Sequence, residues 1–206
     1  MLQTRPSYAT RAIDPAGLAA IYNAFLLVGL PIALLGQAIG QATFHRLAAQ
    51  AEAGNWTGMR RVLVRSLGTS IGLALPAVGA LLLLGRPTIR ILFEHGEFTS
   101  AAGDLTFRVL VAYAIALPAY VATEVITRGL ISLRDTRTPL FTNSGQLVLR
   151  ILLISILLSS MGVVAIPAAF AISATIETLT LATVLFLKLR NRSQLQQDDT
   201  KIVTER

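Results

Sequence analysis

The chain has 206 residues, 53% of them hydrophobic and only 14% charged, with a mean hydropathy of +0.63. Soluble domains carry about 25% charged residues, so this deficit, with the apolar residues gathered in long blocks, points to lipid as the solvent. The net charge is +7, but the basic residues sit at the ends of apolar blocks and lack the aromatic interleaving of single-strand binders, so no nucleic-acid partner is expected. The absence of cysteine excludes disulfides and thiolate metal sites.

Residues 1–15 have no apolar core of the signal-peptide kind and read as a loop remnant. Five apolar blocks follow, at 18–44 (A), 66–84 (B), 105–133 (C), 140–160 (D) and 163–187 (E). Each is near the roughly 20 residues that cross a bilayer core, and an open chain can satisfy its backbone there only as helix. The prediction is an all-α integral membrane protein with a transmembrane bundle over 16–192 and a polar, disordered cytoplasmic tail over 193–206.

Block A contains Pro31 and the GxxxG step Gly36/Gly40, with Gly29 expected on the same face. Gln37 and Gln41, spaced i,i+4, read either as interhelical hydrogen-bonding groups or as a cavity lining. Residues 45–65 read as an amphipathic interfacial stretch, broken at Gly54-Asn55, with Trp56 at head-group level. Block B carries a second step, Gly68/Gly72, and Pro76. The segment 87–93 reads as a short helix start ended by Gly96, and Thr99 or Ser100 as the cap of block C. Pro118 and Pro167 interrupt blocks C and E, and the D–E turn falls at Met161-Gly162.

The A–B loop (Arg46, Arg60, Arg61, Arg65), the C–D loop (Arg134, Arg137) and the stretch after block E (Lys188, Arg190, Arg192) are the basic ones. The positive-inside rule makes those three segments cytoplasmic and sends the N-terminal end outside. An exported N-terminal end is explained by further helices upstream, supplied in frame or by a partner.

Ionisable groups inside a bilayer are costly and rarely face lipid. Arg150 lies mid-block D, with Gln146 and Asn143 one and two turns before it. Two readings are open for it, an anion-binding cation lining a cavity and a structural ion-pair partner of Glu177 in block E. Glu124 and Arg128 form an i,i+4 pair in block C, with Tyr113 and Tyr120 on the face of Glu124. That stripe either lines a central cavity or is Arg128 snorkelling to the surface with Glu124 neutralising it. The substrate-cavity candidates are therefore Arg150, Glu177, Gln146, Glu124, Arg128 and Gln37. No HExxH, GxSxG or P-loop is present and no acids are paired for proton transfer, so neither an enzyme nor a cofactor is expected.

Several segments in order resemble one family. They are Leu30-Pro31-Ile32-Ala33-Leu34-Leu35-Gly36, then the basic loop at Phe44-His45-Arg46-Leu47, then Leu92-Phe93-Glu94-His95-Gly96-Glu97-Phe98-Thr99. The stretch from Arg128-Gly129 through Asp135-Thr136-Arg137-Thr138-Pro139 follows, and 163–192 has small residues first and a basic end. In this order they are similar to helices eight to twelve of the lipid II flippase family MurJ/MviN, within the MOP exporter superfamily. The resemblance implies the C-terminal part of a two-bundle transporter of the bacterial plasma membrane. Such a transporter moves a lipid-linked peptidoglycan precursor between leaflets by alternating access in cell-wall synthesis, with an N-terminal helical bundle as partner. Many members carry an arginine and a glutamate just before the proline of helix eight, where this chain has Leu26 and Gly29. The alternatives are a non-transporting scaffold or half-transporter and a flippase for another polyprenyl-linked oligosaccharide.

Overall fold

The computed structural model describes residues 15–96 and 98–204, with side chains described through 195. The expectations for residues 1–14 and 205–206 lie outside the described residues. Every regular element described is helical: α1 (Pro15–Pro31), a π-helical turn (Ile32–Gln37), α2 (Ala38–Glu52), α3 (Trp56–Phe93), α4 (Ser100–Ser132), α5 (Arg137–Met161), a 3-10 turn (Gly162–Val164) and α6 (Ala165–Thr204).

Four continuous helical segments are long and apolar enough to cross a membrane, Pro15–Glu52, Trp56–Phe93, Ser100–Ser132 and Arg137–Leu195. The last turns back on itself at Gly162, whose φ of +57° suits a residue without Cβ. Arg150 meets Ser173 and Asp135 meets Lys188, so α5 and α6 run antiparallel and make two passes. The five apolar blocks therefore fall on five helical passes of the bundle.

The helices overrun the apolar blocks. α3 has 38 residues, about 57 Å at 1.5 Å per residue, nearly twice the hydrocarbon thickness of about 30 Å. Residues 45–65 are consequently not a separate interfacial element. α2 continues to Glu52 and α3 begins at Trp56, capped by Asn55, whose Oδ1 accepts from the Gly58 N–H at 2.8 Å. Pro87 starts no new helix either, because α3 passes through it to Phe93. Past 192 the backbone stays helical to Thr204, since nothing from Lys188 to Thr204 is glycine or proline. Thr99 does cap α4, its Oγ1 accepting from Ala102 N–H at 3.4 Å.

α4 is the hub. It packs against α1, α2, α3 and α6, and its buried positions lie on all sides, among them Val109, Leu117, Val121 and Leu130. α5 is the opposite case. It rests mainly on α6 and contains no buried residue. Its outer side chains, such as Phe141 (72% exposed) and Ile156 (69%), suit contact with hydrocarbon.

The basic segments gather at one end. Trp56 of α3 stacks under the Arg192 guanidinium of α6, and Asp135 of the α4–α5 loop binds Lys188 of α6. The opposite end is tied by Arg86, which bridges Glu94 and Asp104. The charge count and the packing therefore agree on which loops share a side.

Asp135 also accepts from the Thr138 amide at 3.0 Å and from its hydroxyl. Burial alone would raise this carboxyl. The hydrogen bonds from Lys188 and Thr138 outweigh it and hold the group at about 2, below the ordinary 3.8. A lowered folded value means that the contact stabilises fully above about 4 and is lost as the pH falls toward about 2. We expect Asp135→Asn to lower stability at neutral pH by about 1 kcal/mol, and to remove the acid-sensitive step from melting curves recorded down to about pH 2. An unchanged step would assign it to another carboxylate.

Candidate functional site

Pro31 offers no N–H to the turn before it, and the helix answers with the π-helical turn Ile32–Gln37. This sets where the following glycines point. Gly36 and Gly40 face α4, where a Cβ on Gly36 would lie 3.5 Å from Glu124 Cγ and one on Gly40 3.7 Å from Arg128 Nε. The GxxxG step thus lets the stems of an ion pair lie against the helix backbone. Gly29 is not on that face, and nothing lies within 4 Å of its open side. The extra residue of the π turn rotates the two arms relative to each other, which a uniform 3.6-residue period hides. Gly68 and Gly72 likewise meet nothing within 4 Å, so the second small-residue step packs no helix here.

Glu124 and Arg128 form the expected i,i+4 pair, with Nη2 to Oε2 at 3.6 Å. Arg128 turns to Gly40, away from the site, and Gln37 is exposed and joins none of these groups.

Glu124, Gln146, Arg150 and Glu177 do come together. They line one cavity of about 620 Å³ bounded by α1, α4, α5 and α6. Arg150 is midway along α5. Its Nε donates to Ser173 Oγ at 3.4 Å, and its guanidinium lies over the Phe170 ring, 4.5 Å from the centroid. Phe170 in turn stacks on Tyr120 and meets Tyr113 edge-on, and Tyr113 meets Phe25 of α1. A chain of four aromatic rings therefore fixes the arginine, a contact worth about 0.5–2 kcal/mol.

The expected ion pair with Glu177 is not formed. Glu177 is buried, 7% exposed, with Asn143 beside it, and among the described residues no carboxylate lies within 4 Å of the Arg150 guanidinium. A bond from Thr123 of α4 to Thr178 of α6, 2.6 Å long, sets the depth of Glu177. The antiparallel register places Arg150 against Phe170 and Ser173, one turn short of Glu177, and the stacked ring holds it there. Phe170 and Ser173 are the residues that sequence reasoning missed. The signal was present, because 170, 173, 174 and 177 share one helix face.

The cavity offers a polar head group one fixed cation, hydroxyls and amides, beside the carboxylates of Glu124 and Glu177. Among the described residues no cluster of histidine and carboxylates is suited to a metal ion.

Comparison with known proteins decides the family. The family model "Lipid II flippase MurJ" matches residues 7–204. This chain belongs to the lipid II flippase MurJ family. A probable lipid II flippase MurJ of Rhizobium meliloti (strain 1021) is 28% identical over 152 residues, 74% of this chain and 28% of that protein. One from Rhizobium tropici is 30% identical over 123 residues, 60% of this chain and 23% of that protein. The chain thus spans about a quarter of the length of these relatives. A solved structure of a lipid II flippase MurJ in an inward closed conformation superposes with a TM-score of 0.73 over 91% of this chain and 41% of its own, at 23% identity. It establishes the shared all-helical fold. The chain is a multi-pass membrane protein of a bacterial transporter family.

Proposed function

We propose that this chain is the C-terminal bundle of a flippase that carries the undecaprenyl-diphosphate-linked peptidoglycan precursor across the bacterial plasma membrane. The observation that carries this reading is Arg150. It is a cation midway through a span, fixed on an aromatic ring, open to a cavity and without an ion-pair partner among the described residues. A buried charge needs an anion or a polar shell, and a phosphate head group supplies the first. Membership of the MurJ family supports the substrate class.

In this reading the basic end of the bundle, with Arg192 and the end of α6, faces the cytoplasm. A second helical bundle, covering the part of the relatives that this chain does not match, closes the other side of the cavity. Transport then proceeds by alternating access between the two bundles.

The test is rescue. A bacterium depleted of its own lipid II flippase receives this chain together with an N-terminal bundle of the family. Growth and labelled precursor at the outer leaflet are the expected results. Failure despite membrane insertion, with flux of another polyprenyl-linked sugar, would transfer the function to that substrate. A protein that keeps its membrane partners but carries no lipid at all would be a scaffold.

A further inference from the structure

The arginine-rich end holds a second cavity, a groove of about 420 Å³ between α2 and the beginning of α3. Arg61 and Arg65 line it from α3, one helical turn apart, and Arg46 lines it from α2. Three guanidiniums therefore share one groove. No acidic residue lines it, and among the described residues none of the three arginines makes an ion pair. Three other cations at the ends of the bundle are satisfied from within. Arg86 has Glu94 and Asp104, Lys188 has Asp135, and Arg192 has Trp56. Like charges one turn apart on a helix repel by about 0.2–0.5 kcal/mol, so an anion in the groove relieves the cluster.

The rest of the wall fits such an anion. Buried Thr43 donates to Ser66 Oγ at 3.1 Å, which leaves the Ser66 proton free to point into the groove. Toward the middle of the span the lining becomes mostly apolar, with Ala38, Ile39 and Ala42 beside Thr69. The groove is cationic at the membrane surface and apolar toward the bilayer, the profile of a phosphorylated head on a hydrocarbon tail. Charge selects among such lipids. A phosphodiester brings one negative charge to three guanidiniums, whereas a diphosphate brings two or more and accepts from several arginine forks at once.

We propose that this groove captures the diphosphate head of a polyprenyl-linked lipid at the arginine-rich face, before it reaches the cavity of Arg150. The choice of lipid rests on the transport reading above; the presence of an anion site does not.

The test uses the full protein, with the helical bundle that completes it, in phosphatidylcholine nanodiscs, whose two faces are both accessible. Undecaprenyl diphosphate, phosphatidylglycerol and inorganic pyrophosphate are titrated separately and binding is read by native mass spectrometry. Undecaprenyl diphosphate is expected to bind at least about tenfold more tightly than either competitor. The variant R46Q/R61Q/R65Q is expected to weaken it about a hundredfold, and R60Q/R190Q, on the other side of α3, by less than about twofold. Should the triple variant fail to insert, R65Q alone is expected to cost about tenfold. Equal affinity for phosphatidylglycerol or for pyrophosphate, or unchanged binding in the arginine variants, overturns the proposal. Intact flux with unchanged binding in the triple variant removes the groove and leaves the transport reading. Lost binding in the triple variant with no flux in the parent protein does the reverse.

Discussion

Arg150→Gln is expected to reduce lipid flux by about tenfold to a hundredfold in the assembled transporter, with the protein still inserted at parental levels. The reason is the way this arginine is held. It makes one long hydrogen bond to Ser173 and one stacking contact with Phe170. Removing the charge therefore costs little packing, but it removes the one fixed cation of the cavity. Arg150→Lys separates two contributions. Lysine keeps the charge but loses the planar stack and the fork, so an intermediate rate is expected. Glu177→Gln probes the other side. Without a direct pair to break, it is expected to spare the melting temperature and alter flux, whereas a structural pair would show the opposite. Parental flux in Arg150→Gln would remove the arginine from the transport path and return it to the role of a buried structural charge.

Gly129→Leu is expected to destabilise the bundle strongly. A Cβ at this position would lie 2.8 Å from Leu185 Cδ2 and 3.4 Å from Leu63 Cδ1. Both leucines are fully buried, in the cluster that joins α2, α3, α4 and α6. In lipid there is no hydrophobic force to drive helices together, so their association rests on close van der Waals fit, which an inserted side chain prevents. Overpacking of this kind costs about 1–3 kcal/mol, a fall in melting temperature of about 2–12 °C for a chain of this length. Gly129→Leu with Leu185→Ala is expected to recover part of the loss, because the added volume fills the space vacated opposite it. Thermal aggregation in detergent measures both. An unchanged midpoint in the single variant would mean that α4 and α6 separate more easily than their contact suggests.

Much of this architecture was legible because lipid enforces simple rules. Uncharged runs of the right length could only be crossings, and the arginines counted on each loop matched the loops that pack together. Thr99 and Gly162 announced a cap and a turn by residue type alone. The misreadings have a common origin in treating composition as local. Pro87 looked like the start of a helix, yet the residues on both sides of it favour helix strongly enough to run through. The stretch 45–65 looked interfacial because it is basic, although arginines on a helix that projects beyond the bilayer look the same. At the site, a long arginine could have bridged one helical turn to Glu177, but it lies instead on Phe170 and Ser173. Residue spacing could place 170, 173 and 177 on one face, but only packing could choose among them.

The π-helical turn after Pro31 changes how the whole first span has to be probed. Its inward positions run Gly17, Ala20, Ala24 and Val28 above the turn, and Gly40, Thr43 and Leu47 below it. Each arm keeps the ordinary angular spacing of about 100° per residue, but the two are out of phase by one inserted residue. A cysteine or tryptophan scan along Pro15–Glu52 fitted to a single sine wave would blur the lipid-facing and protein-facing surfaces together and return a weakened periodicity. Fitted as two waves that meet at Pro31, the same data would resolve both.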